Sequence, residues 1–87
     1  MPHYVYMLKS ISHKKVKTYV GYTSNIKKRL TLHNSSKGAK FTRGRKWTLI
    51  YKKFYKSKII AMINEYLLKK NYKKRMLIKK KYLKNKQ

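Results

Sequence analysis

One acidic side chain, Glu65, stands among 26 lysines and arginines in this 87-residue chain. A carboxylate so placed has two uses: it can hold a metal cation, or it can pair with a nearby amine. Lys69 lies four residues further on, where such a pair forms on a helix surface and stabilises it by only about a few tenths of a kcal/mol. Other groups capable of chemistry come earlier in the chain. Tyr6 and Tyr19 place phenols in the triplets Tyr4-Val5-Tyr6 and Tyr19-Val20-Gly21, and Arg29 and His33 follow at a spacing of four. On a helix that spacing sets a guanidinium and an imidazole on neighbouring turns. A guanidinium offers a permanently charged, planar fork of donors suited to phosphate oxygens, and an imidazole can take or give a proton near neutral pH. His3 and His13 acquire no role from spacing.

The formal net charge of +25 calls for a polyanionic partner. Nucleic acid fits best, because lysines and arginines that replace condensed counterions gain strong, salt-sensitive and largely sequence-independent affinity. An anionic membrane surface is the weaker rival. A genome rich in A and T explains part of the lysine excess but not the near-complete loss of Asp and Glu.

Cysteine is absent, which excludes a disulfide scaffold and a thiolate metal site and is compatible with a reducing compartment. The amino terminus MPHYVYMLKS has no continuous apolar signal region, and no stretch approaches the roughly 18 apolar residues that span a bilayer. A soluble, cytoplasmic protein is the expectation. The only proline is Pro2 and no linker composition divides the chain, so residues 1–87 are expected to form one domain around one core.

Three strands and three helices are needed to position these groups. Residues 3–9 and 16–22 alternate as strands, joined across the polar segment SISHKKVK as a hairpin, with Tyr4, Tyr6 and Leu8 on one face of the first and Tyr19 and Gly21 sharing a face of the second. Thr23 or Ser24 supplies an N-cap for a helix through NIKKRLTLHN, whose inner stripe is Ile26, Leu30 and His33. Gly38 and Gly44 bracket a basic loop that reads as flexible. Residues 46–54 alternate as a third strand, with Trp47, Leu49 and Tyr51 on one face and Trp47 and Phe54 as core residues. Ser57 then caps a helix with the apolar stripe Ile59, Ile63, Tyr66 and Leu67, which leaves Glu65 off the stripe. A lysine-rich helix from Asn71 to Gln87, with Tyr72, Met76 and Leu83 as contacts, frays at its end; from about residue 78 it is an extension that adds phosphate contacts. The fold class is α/β (α+β), in the order β-β-α-β-α-α.

The two triplets, Arg29 ten residues after Tyr19, His33 four further on, the loop KGAKFTRGR and the segment AMINEYLLKK around Glu65 together resemble the GIY-YIG nuclease superfamily. The resemblance is strongest to the small stand-alone bacterial proteins of the YhbQ-like, UPF0213 type, and runs from about Tyr4 to about Leu77. The chain departs from the family name at Tyr4, where glycine is usual, and at Val5 and Val20, which replace isoleucine.

The resemblance implies a GIY-YIG fold, a three-stranded antiparallel sheet flanked by helices, and a magnesium-dependent endonuclease that hydrolyses phosphodiester bonds in DNA. It implies Glu65 as the ligand of one Mg2+ or another divalent cation. On the same resemblance Tyr19 would help to deprotonate the attacking water, with Tyr6 positioning it or sharing the task, Arg29 would stabilise charge on phosphorus, and His33 would carry a proton or hold the phosphate. A phenol ordinarily ionises near pH 10, so this use of tyrosine needs positive neighbours. Gly21 shapes the site by letting the backbone approach closely, and Lys40, Thr42 and Arg43 are candidate phosphate contacts. The alternative is a nucleic-acid-binding module of the same fold with weak or lost catalysis, and either reading leaves room for a protein partner that supplies specificity.

The charge makes a direct prediction. Contact with about six phosphates implies that affinity for a labelled oligonucleotide falls on the order of a thousandfold between about 50 and 200 mM salt. Fluorescence anisotropy across that range measures it, and a flat profile would remove phosphate contacts as the main source of affinity.

Overall fold

Strands form where aromatic and β-branched residues are densest. In the computed structural model, which describes residues 2–12 and 15–85, the first strand β1 is His3–Ser12 and the second, β2, is Lys15–Thr23. Both run further toward their connection than the polar composition of SISHKKVK suggests: Ser12 pairs with Lys15, and the connection itself falls on 13–14, outside the described residues. Strand β3, Thr48–Tyr55, pairs antiparallel with the other edge of β1, giving the order β2-β1-β3. β1 is therefore central. Its residues Val5, Tyr6, Met7 and Leu8 are all buried, so successive side chains serve two cores on opposite faces of the sheet.

One core gathers Val5, Met7 and Val20 against Ala61 and Leu68, with Tyr22, Tyr51, Tyr55 and Ile78 at its margin. The opposite core is Tyr6, Leu8 and Trp47, with Tyr19, Ile26, Leu30 and Leu49 around it. The third strand does not alternate strictly. Met7 faces Tyr51 but Leu8 faces Leu49, so Ile50 is an extra residue in β3. This bulge puts Trp47 and Leu49 in one core and Tyr51 in the other, correcting the expectation that the three share a face. Phe54, expected in the core, is exposed and packs edge-on against Tyr4, with ring centroids 5.9 Å apart.

The first helix, α1, spans Ile26–Asn34, and its N-cap is Asn25 rather than Thr23 or Ser24. Asn25 Oδ1 accepts the Lys28 backbone N–H at 3.0 Å, whereas Thr23 Oγ1 accepts the N–H of Asn25 and donates to its carbonyl. Helix α2, Lys58–Lys70, is capped by Ser57, whose Oγ accepts the Ile60 N–H. Helix α3, Tyr72–Asn85, packs on α2 and β3, and the Arg75 guanidinium donates to the Leu68 carbonyl at 2.9 Å and to that of Lys69. These bonds satisfy carbonyls that end α2 without helical partners. The chain end expected to fray, residues 86–87, lies outside the described residues.

The face that α2 buries is not the one its most hydrophobic residues define. Ala61 and Leu68 are buried, while Ile59, Ile63, Tyr66 and Leu67 are all about half exposed or more. The small side chain of Ala61, fully buried, allows the helix to approach the sheet closely. Glu65 follows Ala61 by four residues and precedes Leu68 by three, so it sits on the inward side, its side chain one-fifth exposed. Glu65 does lie off the stripe of Ile59, Ile63, Tyr66 and Leu67, as expected, but that stripe is the exposed face, and the expectation that it packs is corrected.

Truncating Leu68 to Ala should lower unfolding free energy by about 2–4 kcal/mol, whereas Ile63→Ala should change it by no more than about 0.5 kcal/mol. Urea denaturation of both variants distinguishes this packing from the reverse assignment, in which Ile63 is the sensitive position.

Candidate active site

The site is built from strand positions of β1 and β2 and one face of α1. Tyr6 and Gly21 are cross-strand partners, and Tyr19 precedes Gly21 by two residues on the same face of β2. A Cβ at Gly21 would overlap the hydroxyl end of Tyr6 and stand 3.0 Å from Tyr19 Cε2, so only glycine leaves room for both phenols.

Arg29 and His33 both reach Tyr6 from α1. His33 Nε2 lies 2.8 Å from the Tyr6 hydroxyl oxygen, and Arg29 Nε donates to the same oxygen at 3.4 Å. The Tyr19 ring lies 5.0 Å from that of His33, and its hydroxyl also interacts with Arg29.

The far side of His33 fixes its protonation. Nδ1 is 2.8 Å from Thr42 Oγ1, whose single proton goes to the Ala39 carbonyl at 2.9 Å while the Ala39 N–H donates to the oxygen at 3.2 Å. With the threonine proton engaged, Nδ1 carries the hydrogen and donates to Thr42, and the bare Nε2 accepts from the Tyr6 hydroxyl. The electrostatics agree. Burial, with Arg29 adding to it, pushes the fully buried His33 below its ordinary 6.5, so it is neutral at pH 7. Burial likewise pushes the Tyr6 phenol up to about 12; its bond from Arg29 works in the opposite direction, and the negative charge of Glu65 adds to the rise. Glu65 is therefore close enough for its charge to be felt at Tyr6. Arg29 is pushed above its ordinary value, chiefly by its bond to Tyr6.

The loop between α1 and β3 is tied down. Asn34 Nδ2 donates to the Trp47 carbonyl at 3.1 Å and its Oδ1 accepts the Trp47 N–H at 2.6 Å, while the indole N–H of Trp47 donates to the Thr42 carbonyl at 2.9 Å. Gly44 takes the left-handed conformation (φ 73°), and its N–H donates to Ser36 Oγ at 3.0 Å. These bonds correct the reading of this segment as flexible. They also correct Thr42 as a phosphate contact: it is fully buried, and its hydroxyl already donates once and accepts twice, so it positions His33 instead. Lys40 and Arg43, either side of it, are exposed and remain free to meet a phosphate. Sequence reasoning missed Gly38, where a Cβ would overlap the His33 ring, and Asn34 and Trp47 as supports of the turn. A glycine five residues after a site histidine was the only hint of the first.

An open groove beside the phenols is lined by Thr18, Tyr19, Val20, Phe41, Lys69 and Arg75. Lys69 Nζ pairs with Glu65 Oε2 at 3.5 Å, so the carboxylate is linked to this cationic wall. Among the described residues no three His, Asp or Glu side chains converge on one point.

The profile of the GIY-YIG catalytic domain matches residues 2–83. The chain belongs to the GIY-YIG family. A UPF0213 protein of Staphylococcus haemolyticus is 43% identical over 68 residues, 77% of this chain and 79% of that protein. One from Clostridium perfringens is 44% identical over 69 residues, covering 78% and 71%. The solution NMR structure of a UPF0213 protein from Bacillus halodurans is 39% identical and aligns over 91% of this chain and 84% of that one, with a TM-score of 0.51. Three antiparallel strands and three helices in the order β-β-α-β-α-α thus form a GIY-YIG fold, and a GIY-YIG catalytic domain is a nuclease-type domain. Among the described residues no helix is long and apolar enough to cross a membrane.

The buried imidazole sets a pH dependence. A base whose pKa is lowered by folding binds protons more readily in the unfolded chain, so its contribution is intact above about pH 6.5 and is lost as pH falls through the folded value. The thermal midpoint should therefore drop between about pH 7 and pH 5, and His33→Gln should flatten that limb; with one acidic side chain in the protein, few other groups contribute to it. An unchanged acid limb in the variant would mean that His33 is not held neutral by the fold.

Proposed function

We propose that the protein is a magnesium-dependent endonuclease that hydrolyses phosphodiester bonds in DNA. The observation that carries this reading is the cluster in which Arg29 and His33 both bond the Tyr6 hydroxyl while the Tyr19 ring packs against those of Tyr6 and His33, in a site that also feels the chain's only acidic side chain. Membership of a nuclease-type family and the net charge of +25 support the same reading.

The donor set suits magnesium rather than a metal caged by protein. Magnesium keeps several waters and binds through one or two carboxylates together with substrate phosphates. Glu65 is the one carboxylate available, so it would hold the ion jointly with the phosphate under attack. When bound, the ion would supply positive charge against the phosphate oxygens and lower the pKa of a coordinated water.

The protein's own groups divide the remaining work. Arg29 keeps its charge throughout the pH range, and the donors beyond its Nε can meet the negative charge that grows on phosphorus. Tyr6 is neutral and donates to His33, so it holds the geometry of the site, while the half-buried Tyr19 lines the groove and would be the phenol that meets the attacking water. His33 accepts from Tyr6, and can thereby take up a proton passed through that hydroxyl. Lys40 and Arg43 hold the nucleic-acid backbone on either side of the buried Thr42.

The test uses supercoiled, branched and single-stranded DNA with and without magnesium. Cleavage by the wild type should stop in excess chelator and in Glu65→Gln, with DNA binding and fold retained; Arg29→Ala should reduce the rate by about a hundredfold or more. Cleavage that survives Glu65→Gln would sink the metal assignment. Tight binding with no cleavage in the wild type would make the protein a binding module of the same fold.

A further inference from the structure

The turn Lys40–Thr42 presents an aromatic ring outward where the rest of its surroundings present charge. Thr42 is buried, but Phe41 is 54% exposed. Its ring stacks on Tyr19 at 6.2 Å and 23° and is backed by Trp47 at 6.2 Å. It has no freedom to fold inward, because the Thr42 hydroxyl and the Trp47 indole hold the turn through four hydrogen bonds, to Ala39, His33 and the Thr42 carbonyl. Lys17 Nζ stands 5.5 Å from the ring centroid, and Lys69 and Arg75 line the same groove as Phe41 and Tyr19.

The cationic and the aromatic lining of that groove suit two parts of one ligand. Cations meet phosphates, whereas an exposed phenyl face offers a phosphate nothing and offers the π-face of a nucleobase a stacking partner. A base inside a duplex is stacked on its neighbours and shows only its edges, so the ring is reached only by a base that is unpaired and turned out. We propose that Phe41 is a stacking platform for an unpaired base beside the scissile phosphate, so that the preferred substrate is single-stranded DNA or the single-stranded segment of a branched DNA. This rests on the endonuclease reading and adds a specificity determinant to it.

Binding measured without divalent metal separates the two claims. An oligonucleotide carrying 2-aminopurine is titrated as a single strand and as a duplex with wild type, Phe41→Ala, Phe41→Leu and Phe41→Trp, each checked for an unchanged thermal midpoint. Phe41→Ala should weaken single-strand binding about 5- to 150-fold and leave duplex binding within about twofold. Phe41→Leu, which keeps apolar bulk without a π-face, should behave like Phe41→Ala, Phe41→Trp should restore affinity, and only the aromatic variants should quench 2-aminopurine. Equal losses on single strand and duplex, or wild-type affinity in Phe41→Leu, would overturn the stacking role while leaving the nuclease reading intact. A wild type that binds DNA in neither form would instead overturn the nuclease reading.

Discussion

The Tyr6 hydroxyl is carried by a side chain only 2% exposed, so its hydrogen bonds must come from within the protein. That requirement organises the site. It calls for His33 at one face of α1 and Arg29 one turn away, for a threonine that fixes the imidazole's proton on the far nitrogen, and for a loop rigid enough to hold that threonine. The two glycines follow from the same crowding: Gly21 clears the phenol and Gly38 clears the imidazole. Remove His33 or Thr42 and a buried donor is left without its acceptor, which costs about 1–3 kcal/mol. The cluster is therefore positioned as a unit.

Charge is distributed with the opposite logic. The cations lie mostly on the surface, in water, and are free to exchange solvent for phosphate, whereas the lone carboxylate is turned inward and paired with Lys69. A single i, i+4 pair with a half-exposed lysine stabilises a helix little, so its geometry bears more on where Glu65 points than on how firmly the helix forms. The single negative charge is felt at the buried Tyr6, whose hydroxyl also accepts from Arg29.

Much of this arrangement is legible in the amino-acid sequence. The element order can be read because hydrophobic alternation and helical period differ clearly along the chain, and Arg29 and His33 can be paired because four residues is one helical turn. Other features resist such reading for specific reasons. Eight of the thirteen residues of α2 are apolar and they lie all round the helix, so hydrophobicity cannot choose its buried face; the small Ala61 and the sheet's shape do. Thr42 resembles an exposed phosphate donor because its neighbours are basic, and only the fold shows its hydroxyl saturated. Asn25 takes the cap because Thr23 is already engaged with the backbone two residues on.

The extra residue in β3 has a further consequence. Ile50 divides the strand into two halves whose faces are out of phase, with Tyr51 serving the core under α2 and Leu49 and Trp47 the core under α1. Deleting it would leave Leu49 beside Tyr51, and neighbouring residues of a regular strand already point to opposite faces, so Leu49 would stay opposite Leu8 and Tyr51 opposite Met7. The indole that anchors the Thr42 carbonyl would keep its side of the sheet. What would be lost is the local kink and the Ile50 side chain packed beside Tyr51, so the stretch between Trp47 and Tyr51 is a place where the strand can shed one residue without turning over a face.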